Sequence, residues 1–316
     1  MKSFRYIMFS ILLVAVSSVL SGCEKLLIFD PQGPVAKSQA DLIIFSIIFM
    51  LVIVVVVFVL FGYIIWKYRE TNRNKDYEPP HEHGSKLLEA LWIGIPIVIV
   101  IALTIPTVIT TYELEEIPEG YENVEPITIH VTSADWKWIF SYPEQDIETV
   151  NYFNIPAGVP VQFKMTSTGT MQSFWVPALG GQKYTMANMQ TELYLLADRP
   201  GSYIGRNTSF NGEGYAHMEF EVEAQTQEDF DKWVSEVKAT ASDLTEEKHY
   251  EIIEPGLVGR MTFNGTHLEW IDHSESEYHN HGGESHDEHG SHSEEDTHEN
   301  HEDHGDHGDH DNHDSH

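Results

Sequence analysis

Cysteine is almost absent: the 316 residues contain one, Cys23. No internal disulfide can form, and no thiolate metal cluster can be built from this chain alone. Basic residues are scarce too, 18 Lys and Arg against 50 Asp and Glu, giving a formal net charge of −32. A phosphate backbone repels so acidic a chain, which argues against a nucleic-acid partner. The shortage is uneven. Residues 1–110 hold nine basic and eight acidic groups, and residues 111–272 hold nine and 27. Residues 273–316 hold no Lys or Arg at all, with 15 acids and 13 histidines. The three stretches are suited to different surroundings.

Long apolar runs, by contrast, are present. Residues 1–22 read as a secretory signal peptide, with Lys2 and Arg5 ahead of the apolar stretch Ile7 to Leu20. The stretch ends in Leu20-Ser21-Gly22-Cys23, which resembles the lipobox of bacterial lipoproteins. That resemblance implies cleavage before Cys23 and lipidation of its thiol, leaving residues 23–40 as a lipidated N-terminal segment. Leu42 to Trp66 is an uncharged run of 25 residues, long enough to span a bilayer. A second run, about 87–110, carries Glu89 at its start and Pro96 and Pro106 inside, which membrane helices tolerate. Residues 41–112 are thus expected to form a transmembrane hairpin. Its loop holds Lys67, Arg69, Arg73, Lys75 and Lys86, so the loop faces the cytoplasm. The chain after about residue 111 then lies outside, as does Cys23.

From Pro126 the periodicity becomes two. Ile127, Ile129 and Val131 alternate with Thr128, His130 and Thr132; Trp136, Trp138, Phe140 and Tyr142 share a face. Val161, Phe163 and Met165 alternate with polar residues, as do Met218, Phe220, Val222 and Ala224. These predict half-buried antiparallel strands, which the turn residues Pro156-Ala157-Gly158, Gly180-Gly181 and Arg199-Pro200-Gly201 separate. A β-sandwich or barrel over 113–225 is expected. Residues 226–272 read as a partly helical extension, with Phe230, Trp233, Val234 and Val237 on one helix face.

Several segments in this region resemble subunit II of bacterial haem–copper quinol oxidases. They are Asp135-Trp136-Lys137-Trp138-Ile139-Phe140 with Tyr142-Pro143-Glu144-Gln145, Gln172-Ser173-Phe174-Trp175-Val176-Pro177, Gly180-Gly181-Gln182-Lys183-Tyr184, Ala187-Asn188-Met189-Gln190-Thr191 and Gly201-Ser202-Tyr203-Ile204-Gly205-Arg206. The similarity runs from the lipobox to about residue 235. It implies a membrane α + β protein: a two-helix hairpin followed by an extracellular cupredoxin-like β-sandwich. It also implies a subunit of a proton-pumping quinol:oxygen oxidoreductase, packed against subunit I, in contact with quinol and the lipid bilayer. Haems and a copper ion are implied for subunit I.

The related cytochrome c oxidases carry a binuclear copper centre in this domain, built on two Cys, two His, a Met and a carbonyl. The matching positions here hold Gln172, Asn207, Asn211, Tyr215 and Met218, so the methionine is the one side-chain ligand with a counterpart. Amides cannot replace bridging thiolates, and a blue-copper site also needs a cysteine. The expectation is no cofactor in this chain, no metal in the folded domain and no docking of cytochrome c. His217 falls among Glu219, Glu221 and Glu223, as on a solvated face, while Met218 falls in the apolar register. Trp136, Trp138 and Tyr142 match an electron-relaying aromatic patch of the copper-bearing relatives. Without copper they read as core and interface packing. Glu89 matches a glutamate that helps admit protons to subunit I, which makes it the proton-entry candidate; an acid placed favourably at a helix N-terminus is the alternative.

Residues 273–316 lack the apolar residues for a core and are expected to be disordered. His298, His301, His304, His307, His310, His313 and His316 recur every third residue, a pattern able to bind metal weakly or to act as a solvated polyanionic brush. The rival to the oxidase reading is a metal-capturing membrane lipoprotein that works through this tail.

Overall fold

The computed structural model describes residues 26–69 and 84–274. The expected signal peptide, Cys23, the loop residues Arg73 and Lys75, and the histidines from His298 onward lie outside the described residues.

Helix α1 spans Pro34–Lys67 and helix α2 spans Lys86–Glu113. Both are long and apolar enough to cross a membrane. Hydropathy alone placed the start of the first helix near residue 42, eight residues too late. Pro34 occupies the first helical turn, where a missing N–H costs nothing, so the helix extends through the polar residues Lys37, Ser38 and Gln39. At 1.5 Å per residue, 34 residues reach about 50 Å, well beyond a bilayer core of about 30 Å. The additional turns are buried against the folded domain at Val35, Ala36 and Ala40. Residues 34–40 thus belong to the helix rather than to a separate N-terminal segment.

The domain that follows is a sandwich of two sheets. Its strands are β1 (Ile127–Ala134), β2 (Lys137–Tyr142), β3 (Ile147–Val150), β4 (Tyr152–Pro156), β5 (Val161–Ser167), β6 (Gln172–Val176), β7 (Gly180–Thr185), β8 (Thr191–Leu195), β9 (Gly201–Asn207), β10 (Glu219–Gln225), β11 (Ser242–Asp243) and β12 (Met261–Asn264). One sheet has the order β11-β12-β3-β2-β1-β5-β8 and the other β4-β10-β9-β6-β7. This is the cupredoxin-like sandwich that the resemblance implies. The strands were expected to be antiparallel, but β1–β5, β4–β10 and β11–β12 pair in parallel. Alternation tells which face a residue occupies and is silent about strand direction. After the β2–β3 hairpin the chain crosses to the other sheet as β4, then returns as β5 running alongside β1.

The inner faces meet over an aromatic core of Trp138, Phe140, Phe153, Phe163, Phe174 and Phe220. Phe174 and Phe220 stack with centroids 5.0 Å apart and planes within 9°, and Trp138 sits edge-on to both. Gly205 permits this: a Cβ there would lie 2.0 Å from the Phe220 ring. Trp138 and Tyr142 are core as expected, while Trp136 lies outside the strands and is partly buried.

The C-terminal extension is more integrated than its composition suggests. Helix α3 (Gln227–Thr240) and helix α4 (Glu246–Ile253) are each capped by a threonine, Thr226 and Thr245, that accepts a backbone N–H. Phe230 and Val237 of α3 enter the core. Strand β12 then pairs with β3 and lengthens the first sheet. The sandwich therefore continues to Asn264, not to residue 225. Leu244, Ile252 and Phe263 pack on Ile139 and Val150, forming a second small core on the outer face of that sheet. Lys137, also on that face, is buried and donates to the Glu254 carbonyl. His273 is buried as well, so the folded region includes the residue expected to begin the tail.

Candidate functional site

Strand β9 ends at Asn207, and the loop after it carries Asn211 and the 3-10 turn Tyr215–His217 before Met218 leads into β10. This loop brings three of the five copper-matching positions together. The Asn207 amide donates to Met218 Sδ at 3.4 Å, and the Asn211 amide donates to the same sulfur at 3.5 Å. Asn207 Oδ1 accepts the backbone N–H groups of Ser173 and Ser209, both at 2.9 Å. Gln172 turns elsewhere, donating to Asp135 Oδ1 at 3.2 Å and to the Ala134 carbonyl. Tyr215 packs against Phe210. His217 is exposed and Met218 is buried, as the alternation indicates, although His217 lies in the 3-10 turn and Met218 precedes β10.

The donors gathered here do not fit a copper centre. Two neutral amides and one thioether supply no anionic sulfur and no imidazole, and the amide hydrogens already occupy the sulfur lone pairs. What the arrangement does is hold a loop. Trp136 Nε1 donates to the Asn211 carbonyl at 3.0 Å, and the Trp136 ring lies against Gly212 and Gly214. A Cβ at Gly214 would come within 2.3 Å of that ring. Hydrogen bonding and close packing thus fix the loop.

A second functional feature joins the sandwich to the membrane helix. Gly180 and Gly181 have φ of +89° and +67°. A Cβ at Gly180 would lie 2.6 Å from Ala36 N. The strand therefore approaches the helix backbone directly, and Ala36 N donates to the Leu179 carbonyl at 3.1 Å. Gln32 is bound from both sides, its N–H to the Ala178 carbonyl and its carbonyl by Asp198 N–H. Arg199 holds the Gln32 side chain with two further bonds. Gly181 N–H donates to Gln39 Oε1 at 3.2 Å. The Gly-Gly pair, which reads as a turn in the sequence, is a docking point for α1.

Glu89 occupies the first turn of α2 and is exposed. It lies far along the helix from the sandwich-proximal end and is not brought near Met218 or its partners.

Sequence reasoning missed one cluster entirely. His249, His267 and His273 converge, fully or almost fully buried, beside Glu148 of β3. His249 and His267 lie in the extension, and His273 was assigned to the tail. The available clue was the polar outer face of the first strands, Thr132, Ser141 and Glu148, which reads as solvated unless something covers it. The expectation of no metal in the folded domain does not take this cluster into account.

Residues 23–109 match the family described as cytochrome c oxidase subunit II, transmembrane domain. The chain is 57% identical over 270 residues to quinol oxidase subunit 2 of Bacillus anthracis, covering 85% of this chain and 93% of that protein. It is 51% identical over 269 residues to quinol oxidase subunit 2 of Bacillus subtilis (strain 168), covering 84% of each. It is also similar to the periplasmic domain of subunit II of cytochrome oxidase of Bradyrhizobium japonicum, at 20% identity and a TM-score of 0.34, over 34% of this chain and 91% of that one.

Proposed function

We infer from its place in the quinol oxidase subunit II family, to which this chain belongs, that it works in its oxidase complex without carrying electrons. Quinol, dissolved in the membrane, reduces a haem of partner subunit I directly, and oxygen is reduced to water there. The contribution of this chain is mechanical and positional. Helices α1 and α2 pack against subunit I, and the sandwich, docked on α1 through Gly180 and Ala36, covers the outer side of the complex. Lipidation at Cys23 adds a third attachment on that side. Glu89, at the opposite end of α2, helps protons enter subunit I, whose turnover is coupled to proton pumping.

One observation supports this reading above the others. Asn207 and Asn211 hold the Met218 sulfur by their amides, where an electron-carrying relative needs thiolates. A donor able to reach subunit I through the bilayer removes the need for a relay in this domain.

The test is oxygen uptake by the purified complex, offered reduced quinol or reduced cytochrome c. Rapid uptake with quinol alone, blocked by a quinol-site inhibitor, is the expected result. Rapid uptake with cytochrome c alone would overturn the reading, because electrons would then have to pass through the loop of Asn207 and Asn211.

A further inference from the structure

The outer face of the first sheet carries a buried group of titratable side chains that the oxidase function does not use. His249 comes from α4, His267 from the 3-10 turn His267–Glu269, and His273 from the segment after it. Their exposures are 0%, 0% and 3%. One ring nitrogen from each lies within 4.8 Å of the others. The Nε2 atoms of His249 and His273 face each other at 3.1 Å. The rings of His249 and His267 stack, with centroids 4.3 Å apart and planes within 14°.

The fourth member is Glu148, fully buried on β3. Its Oε2 lies 2.6 Å from His267 Nδ1 and accepts from the His267 backbone N–H at 3.1 Å and from Ser141 Oγ at 2.8 Å. Burial pushes the carboxyl up. The His267 imidazole and these hydrogen bonds outweigh it and hold it below the usual carboxylate range. A carboxylate behind one imidazole nitrogen fixes the ring and leaves the other nitrogen directed outward, as in carboxylate–histidine–metal triads. Among the described residues, His267 Nε2 makes one hydrogen-bond contact, with Thr132 Oγ1 at 3.4 Å.

The remaining polar atoms are poorly served by protein alone. Among the described residues, His249 Nδ1, His273 Nδ1 and Glu148 Oε1 are buried without a hydrogen-bond partner. Burial holds the His249 imidazole down to about 3 and the His273 imidazole down to about 4, with His267 adding to both. Asp272 and Glu148 are the acidic groups that face them, and His130 flanks Asp272 and His267. An array of imidazoles with one carboxylate behind it has the character of a cation site, in a place where a hydrocarbon core would have been simpler.

We propose that His249, His267 and His273 bind one divalent transition-metal ion, of which zinc is the best fit, with Glu148 orienting His267. Three imidazoles are borderline donors suited to zinc, and hard cations such as magnesium and calcium prefer oxygen. The site is structural. Its ligands come from three places along the extension, and its supporting carboxylate comes from the sheet, so the ion ties the extension to the sandwich.

The test uses the full-length chain in its purified complex, washed briefly with EDTA, with metal counted by mass spectrometry. Residues 275–316 bring twelve further histidines, but these are common to wild type and variants, so the comparison isolates the cluster. The wild type should retain one zinc per chain more than His249→Gln or His273→Gln. Equal retention, or no retained metal in the wild type, would overturn the proposal. Should either variant fail to fold, X-ray absorption of the retained zinc in the wild type decides. Three imidazole nitrogens at about 2.0–2.1 Å would support the site, and a shell dominated by carboxylate oxygen would overturn it.

Discussion

Asn207 donates its side-chain amide to the thioether of Met218 at 3.4 Å, and both residues are buried. The methionine is the one copper-ligand position whose side chain is kept, and here its sulfur serves as a hydrogen-bond acceptor for two asparagines. A thioether is a weak acceptor, so the pair is held as much by packing as by polarity.

Met218→Leu removes that acceptor while preserving volume. The buried Asn207 amide then loses its sulfur partner, a cost of about 1–3 kcal/mol. The thermal unfolding midpoint of the purified chain should fall accordingly. Quinol-driven oxygen uptake by the assembled complex should be unchanged, which separates a structural role for this residue from a redox one.

Gly180→Val strikes the docking of the helix on the sandwich. The left-handed backbone alone costs a branched residue about 1–2 kcal/mol, and the new Cβ would collide with Ala36 N. Loss of stability and a reduced yield of assembled complex are expected by native gel and midpoint measurement. Gly169→Ala is the control: nothing lies within 4 Å of its added Cβ, so the change should stay within about 0.5 kcal/mol.

Glu148→Ala leaves the His267 imidazole without its buried partner. Breaking such a pair costs about 3–5 kcal/mol. Denaturant unfolding followed by tryptophan fluorescence should show the loss, and Glu148→Gln, which keeps the shape and some hydrogen bonding, should lose less.

Tyr142→Phe tests the other face of the same hairpin. The Tyr142 hydroxyl donates to the Asn154 carbonyl and accepts the Asn154 N–H, both at 2.9 Å, bridging the two sheets. Its removal strands two buried backbone groups, at a cost of about 1–3 kcal/mol. The unfolding midpoint should drop with no change in quinol oxidation.

Much of the chain was legible from local pattern. Long apolar runs such as Leu42 to Trp66 dictate membrane helices because an unpaired peptide group in lipid is costly. Alternation of Ile129 and Val131 with Thr128 and His130 dictates a strand because successive side chains take opposite faces. The single cysteine and the amides at 207 and 211 dictate that no thiolate-bridged copper can form, since donor chemistry is a property of residues and not of the fold.

What only the tertiary structure decided depends on which surfaces meet. The parallel pairing of β1 with β5 follows from a crossover that no local period records. Pro34 to Ala40 is helical because the sandwich offers it a surface and Gly180 lets the backbones touch. The gathering of His249, His267 and His273 over Glu148 has the same origin. A polar strand face reads as solvated until the extension is known to return and cover it, and burial is set by long-range contacts that a one-dimensional pattern cannot carry.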